Sequence, residues 1–316
     1  MWGVIQSGRK SLVKVHSISV EPFYDERTST LTYCVYDRVS RDAVIIDPVL
    51  DYDAASSAVW TQSVDKILTF VDTRQLILQL VLETHAHADH LSGAQEIKRR
   101  YTEVDVCIGQ YITIVQQTFK SVFGMPDEFP VDGSQFDRLL KDGETVYAGS
   151  LVFTVLMTPG HTPACVSYLF SEMVFTGDAL FMPDLGTGRC DFPMGDAETL
   201  YRSIMTRLYT LPDEIKAFVG HDYQPGGRAL AYETTIVDQR MSNVHVRQDT
   251  QVDDFVKLRR ERDKTLSPPA LLFQSVQINI DAGAMPKPAA DAKRFLKIPV
   301  NVFKAEHDGK LTMEKV

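Results

Sequence analysis

Hydrophobic and polar positions alternate along this chain in two rhythms. Residues 13–20, 31–36 and 43–46 are short runs rich in β-branched and aromatic side chains, separated by turn formers, and read as strands. Asp47-Pro48 closes the third. Between 54 and 70, Val59, Val64, Ile67 and Leu68 fall at helical spacing and predict a helix. The apolar run 76–82 ends in a polar cluster and suits a buried strand. A helix is expected to begin near Ser92, a strand to cover 106–108 and a helix 112–123. Further on, 145–147, 151–157, 165–170 and 173–176 read as strands, the last two as a hairpin, followed by a helix at 199–209 and a buried strand at 216–219. Strands mixed with helices in both halves predict a layered α/β protein with helices on the outer faces of packed sheets. No internal repeat or linker divides the chain, so residues 1–316 are expected to form a single domain. The stretch 264–316, with Ser267-Pro268-Pro269, Pro286, Pro288 and Pro299, is expected to be an ordered C-terminal extension laid over the core.

Composition narrows the function classes. With 33 basic and 42 acidic side chains the formal charge is −9, and no dense Lys/Arg run is present. This argues against a nucleic acid or a membrane surface as partner. Cys34, Cys107, Cys165 and Cys190 form no CxxC pair, so neither a zinc knuckle nor a disulfide framework is signalled, and a reducing compartment is expected. The apolar run 76–82 is far too short to span a bilayer. The first twenty residues carry Arg9, Lys10 and Lys14 but lack the apolar core of a secretory signal, and read as an arm leading into the first strand. A cytoplasmic or mitochondrial location, not a secreted one, is expected.

The histidines carry the chemistry. His85, His87 and His90, with Asp89 among them, place four metal-capable groups in six residues directly after a predicted strand. Thr158-Pro159-Gly160-His161, Phe175-Thr176-Gly177-Asp178 and Gly220-His221-Asp222-Tyr223 also follow predicted strands. Each fragment alone is ordinary turn chemistry. Four of them at strand ends describe a metal site assembled by the fold. Imidazole and carboxylate suit zinc, iron or manganese. His16, His245 and His307 lie outside these clusters and read as structural or surface residues, and Cys165 and Cys190 as buried, inert thiols.

The run His85-x-His87-x-Asp89-His90, followed by His161, Asp178 and His221, resembles the metal-binding signature of the metallo-β-lactamase superfamily. The resemblance implies a four-layer αββα sandwich of two mixed sheets flanked by helices. Asp178 stands where the zinc β-lactamases carry cysteine, which speaks against that activity. The basic docking insertions of the RNA-processing nucleases are missing. Gly160-His161-Thr162-Pro163-Ala164-Cys165-Val166-Ser167, Phe175 to Leu180, Gly188 to Phe192 and His221-Asp222-Tyr223 resemble the persulfide dioxygenase branch related to glyoxalase II. Ala164 replaces a usual glycine, and the chain after Arg240 is longer than in the short mitochondrial-type enzymes. These departures bear on the substrate more than on the metal.

That resemblance implies one Fe(II) per chain, held by His85, His161 and Asp178. His87, Asp89, His90 and His221 would orient those ligands or, in a zinc or mixed dinuclear hydrolase of glutathione thioesters, hold a second metal. The implied partners are glutathione persulfide and O2, and a homodimer is compatible with the family. Arg189 is a candidate for pairing a substrate carboxylate, with Asp184 or Asp191 as partners if it serves structure instead. Tyr223 is a candidate for hydrogen-bonding the peptide part of the substrate.

Overall fold

The run Thr30–Asp37 is buried along its whole length, as expected of a strand covered on both faces. The structure, a computed structural model, describes residues 18–305 and 311–313. In chain order its elements are β1 (Ile18–Asp25), β2 (Thr30–Asp37), β3 (Asp42–Ile46), β4 (Val49–Asp53), β5 (Ala58–Trp60), α1 (Gln62–Arg74), β6 (Ile77–Leu82), β7 (Leu91–Ser92), α2 (Ala94–Arg100), β8 (Asp105–Gly109) and α3 (Ile112–Val122). Then follow β9 (Arg138–Leu140), β10 (Thr145–Ala148), β11 (Leu151–Met157), β12 (Val166–Phe170), β13 (Met173–Phe175), α4 (Ala197–Ser203), β14 (Lys216–Phe218) and β15 (Glu233–Thr235). The chain closes with α5 (Ile236–Ser242), α6 (Val252–Asp263), α7 (Leu272–Asn279), β16 (Phe303–Ala305) and β17 (Leu311–Met313).

Among the described residues two six-stranded mixed sheets stand out, ordered β1-β2-β3-β6-β8-β9 and β10-β11-β12-β13-β14-β15. Their inner faces meet in one apolar layer, with Tyr33, Val44, Ile46 and Leu80 from the first packed against Phe153, Tyr168, Phe170 and Phe175 from the second. The outer face of the first sheet is covered by Ile67 and Leu68 of α1, Ile97 of α2, Phe119 of α3 and Val276 of α7. The outer face of the second is covered by Leu200 of α4, Ile236 of α5 and Phe255 of α6. This is the four-layer αββα sandwich. Asp196 caps α4 by accepting the Thr199 N–H at 2.7 Å, as a carboxylate at a helix start should.

The structure corrects some boundaries. The helix expected at 54–70 is α1, beginning at Gln62, because Asp53 accepts the Ser56 N–H at 2.8 Å and turns the chain back. Ala58–Trp60 then pairs with β4, and Val59 is exposed instead of lying on a buried helical face. The first strand runs to Asp25, paired residue for residue with β2; the expected start at 13–17 lies outside the described residues. α6 and α7 were not expected: α6 is mostly charged and shows little apolar periodicity, and α7 is a short run between Pro269 and Pro286.

Candidate metal centre

The sandwich brings strand ends together at one edge. The loop 83–90 follows β6, Asp47 follows β3, His161 follows β11, Asp178 follows β13 and His221 follows β14. Gly177 has φ +49°, and a Cβ there would lie 2.7 Å from Thr84 Oγ1, so glycine lets the Asp178 loop rest against the histidine loop. The Leu31 N–H donates to Gly220 O at 2.8 Å, pulling the His221 loop onto the first sheet.

His85, His161 and His221 each have one ring nitrogen committed and the other bare. His161 Nδ1–H donates to Arg189 O at 2.6 Å, and His221 Nδ1–H to Ser29 O at 3.2 Å. Thr84 Oγ1 donates to Asp47 Oδ2 at 2.8 Å, so it accepts from His85 Nδ1 at 3.0 Å. These bonds fix the tautomers, and the Nε2 lone pairs face Asp178. Nε2 of His85 and His161 lie 4.0 and 3.4 Å from Asp178 Oδ2, and His221 Nε2 lies 3.5 Å from Oδ1. All four side chains are buried, and Asp178 Oδ1 has no hydrogen-bond partner. Converging lone pairs without protons between them repel one another, and a cation relieves that repulsion. The donor set therefore fits a divalent transition metal. Burial and the neighbouring imidazoles hold His85 well below the usual histidine range, so it is neutral and competent as a ligand.

Among the described residues, the ligand atoms of His85, His161 and Asp178 lie within 4.8 Å of one another. His87 falls in two other such sets, one with Asp89 and His90 and one with Asp47 and Glu83. Its Nε2 is 3.0 Å from Asp47 Oδ1 and 3.7 Å from Glu83 Oε2. Burial alone would lower His87; Asp47 and Glu83 outweigh it and raise the ring to about 10. Burial and the charge of Asp47 push Glu83 up to about 8. His90 Nδ1–H donates to Leu91 O at 3.1 Å, and burial with His87 beside it pushes the ring down to about 4. Burial works against the Asp89 charge, but His221, His90 and His87 hold it down at about 2. Asp89 also accepts from Thr30 Oγ1 at 3.2 Å.

Two distant helices brace these loops. Asn279, at the end of α7, donates to His87 O and His90 O, each at 2.8 Å, and accepts the Ser92 N–H at 2.8 Å. On α6, buried Arg259 pairs with Asp263 and donates to Thr187 O at 3.0 Å, while Asp263 accepts the Cys190 N–H at 2.9 Å. The segment 187–190 so held presents the Arg189 carbonyl to His161. Around the bare nitrogens stand aromatic rings: Phe192 beside His161, Phe181 edge-on to His221, and half-exposed Tyr223 stacked on His221 with centroids 5.6 Å apart.

Of the expected substrate groups, Tyr223 sits at this rim. Arg189 is engaged elsewhere. Its Nε and NH2 bond both oxygens of Asp191 at 2.5 and 2.6 Å, and its NH1 donates to Ser267 O at 2.7 Å. Asp184 pairs with Arg228 instead. A substrate carboxylate would have to displace Asp191 to reach the guanidinium. Cys165 is buried, and burial pushes its thiol up to about 12, out of reach of thiolate chemistry. His245 is buried and accepts the Thr187 N–H at 3.0 Å, while His16 and His307 lie outside the described residues. Asp47, Glu83, Thr84, Asn279, Arg259 and Asp263 escaped sequence reasoning. Only Glu83 and Thr84 gave a signal, by adjoining the histidine run.

Two packed mixed sheets with histidine and aspartate loops at one edge define a metal-binding αββα protein. The description "Metallo-beta-lactamase superfamily" matches residues 28–221, and the chain belongs to that superfamily. It is 44% identical over 286 residues to the Dictyostelium discoideum protein named glyoxylase B2, covering 90% of this chain and 98% of that one. It is 28% identical over 275 residues to the mitochondrial persulfide dioxygenase ETHE1 of Bos taurus, covering 86% and 91%. The crystal structure of ETHE1 from Myxococcus xanthus superposes with TM-score 0.67 at 33% identity, covering 84% of this chain and 100% of that one. The superfamily and the clusters together imply a bound metal. Among the described residues no helix is long and apolar enough to cross a membrane.

Proposed function

We propose that this protein is a one-metal, non-haem iron dioxygenase that oxidises the persulfide of glutathione, or of a similar small thiol, to sulfite and thiol. The observation that carries this reading is the convergence of His85, His161 and Asp178, with His87 drawn to Asp47 and Glu83. Two imidazoles and one carboxylate are the ligand set of non-haem iron oxygenases, which leaves other positions open. Likeness to proteins named persulfide dioxygenase and ETHE1 supports it. Iron(II), when bound, would couple electron transfer from sulfur to dioxygen. In the balanced reaction dioxygen takes four electrons from the outer sulfur, water supplies the third oxygen of sulfite, and the S–S bond breaks to release thiol.

The chain's own part is positional and electrostatic. The Nδ1 bonds of His85 and His161 hold both ligand nitrogens in place. Phe181 and Phe192 form an apolar wall that excludes water and suits a polarisable sulfur. Asp89 keeps its charge beside His221 and Thr30, where it can accept hydrogen bonds from substrate or water. Tyr223 offers its hydroxyl at the rim to the peptide part of the thiol. Arg189 serves the substrate only by exchanging Asp191 for its carboxylate. With this substrate the protein would work in the cytoplasm or mitochondrion.

A second reading has its own observation. His87 Nδ1 and His90 Nε2 are buried without hydrogen-bond partners and cluster with Asp89, as a second metal would require. That arrangement, with the likeness to glyoxylase B2, fits a dinuclear thioester hydrolase. Oxygen uptake with glutathione persulfide, on protein of measured iron and zinc content, separates the two. Uptake that scales with iron near one per chain, with sulfite formed, is the expected result. No uptake from an iron-loaded sample would overturn the dioxygenase reading.

A further inference from the structure

We propose that Asn279 is a positioning residue for the histidine loop, and that docking of α7 and binding of metal stabilise each other. The inference rests on the reading of that loop as part of a metal centre. Asn279 is buried and bonds the loop three times. Both its amide donors are spent on the carbonyls of His87 and His90, and its oxygen takes the Ser92 N–H. A planar amide reaches two carbonyls three residues apart only when the loop between them is curled. That curl contains Asp89 and begins two residues after His85. The clamp therefore selects one loop curvature out of those open to an exposed turn.

The arm that carries the clamp is firmly held. Val276, Ile278 and Ile280 lie in the apolar layer over the first sheet. Gln116 Nε2 donates to Ile280 O at 2.9 Å, and Gln95 Nε2 donates to Ala282 O at 3.0 Å. Gly283, at φ +83°, packs onto the loop, and a Cβ there would lie 3.1 Å from Ser92 O. Metal would fix the same loop from the other side, through the side chain of His85. Two groups that favour one conformation of a shared element are coupled, and the coupling is reciprocal. Loaded metal should tighten α7, and a lost clamp should loosen metal.

The test uses the full chain and two variants. Asn279→Asp keeps the acceptor for Ser92 but removes both donors to the loop. Gln116→Ala frees the same helix end without touching the loop and serves as control. Fe(II) and Zn(II) affinities are measured by competition with a chelating dye, and hydrogen exchange of 272–280 is followed with and without metal. Asn279→Asp is expected to weaken metal binding about tenfold or more, the usual scale for groups that orient ligands. It should also abolish the metal-dependent protection of α7. Gln116→Ala should lower the melting temperature of the metal-free protein yet leave affinity within twofold. Wild-type affinity in Asn279→Asp, or an equal loss in Gln116→Ala, overturns the inference while leaving the metal centre standing. Wild-type protein that binds neither metal overturns the centre and the inference together. Two metals per chain with the clamp effect intact overturns the one-metal reading alone.

Discussion

The two ligand clusters of this protein share a chemistry and differ in construction. His85, His161 and Asp178 come from three loops on both sheets, and backbone or hydroxyl partners turn their free nitrogens inward. His87, Asp89 and His90 come from one loop; His87 is drawn to Asp47 and Glu83, while His90, like His161, spends Nδ1 on a backbone carbonyl and keeps Nε2 free. The difference teaches that filling every ligand position of a signature does not by itself define a metal stoichiometry. The groups behind each ligand decide which lone pairs are free.

The comparison breaks most sharply at its ligands. His161→Ala is expected to abolish retention of iron through desalting. His87→Ala should keep close to one iron per chain while losing much of the rate. Metal analysis of the two purified variants decides this, and equal loss from both would erase the distinction between the clusters. Next comes Asp47→Asn, which weakens the Asp47–Thr84–His85 chain and the hold on His87 together. We expect a loss of metal affinity of about 10- to 100-fold, read by chelator competition. Unchanged affinity would show that Thr84 alone orients His85.

Smaller effects sharpen the edges of the picture. Arg189→Ala should raise KM about threefold or more with kcat nearly unchanged if the guanidinium meets substrate. A change in melting temperature alone would assign it to the Asp191 and Ser267 contacts. The smallest effect concerns pH. Burial and the charges of Arg259 and Arg262 push His245 down to about 3, against 6.5 in the unfolded chain. Below pH 6.5 the unfolded chain takes up a proton that the folded one refuses, so stability falls as pH drops from about 6.5 toward 3. His245→Asn keeps an acceptor for the Thr187 N–H and removes that titration. Urea unfolding at pH 7 and pH 5 should show a smaller loss in the variant than in the parent.

The clustered histidines and aspartates were legible in the sequence because each group follows an apolar run, and a buried strand can end only where polar groups find partners. The strands were legible for the same reason, as in 76–82, apolar but for Gln79, and 151–157, apolar but for Thr154. What stayed hidden acts at long range. Asp47 read as the end of a strand, yet its carboxylate anchors Thr84 and faces His87. Asn279 is one polar residue in a Pro-rich stretch, and nothing local distinguishes it from a turn former. Arg259 looks like any charge on a polar helix until burial shows that its guanidinium is spent on Thr187 and Asp263. Periodicity reports which face of an element is buried, and it is silent about what a buried polar group bonds.

The Asn279 clamp also orders events in time. Asn279 lies 189 residues after His90, whose carbonyl it holds. A ribosome makes the loop and both sheets well before it makes the brace. The nascent chain therefore displays its histidines unclamped while those 189 residues are made, and the loop reaches its final curvature only when α7 is laid down.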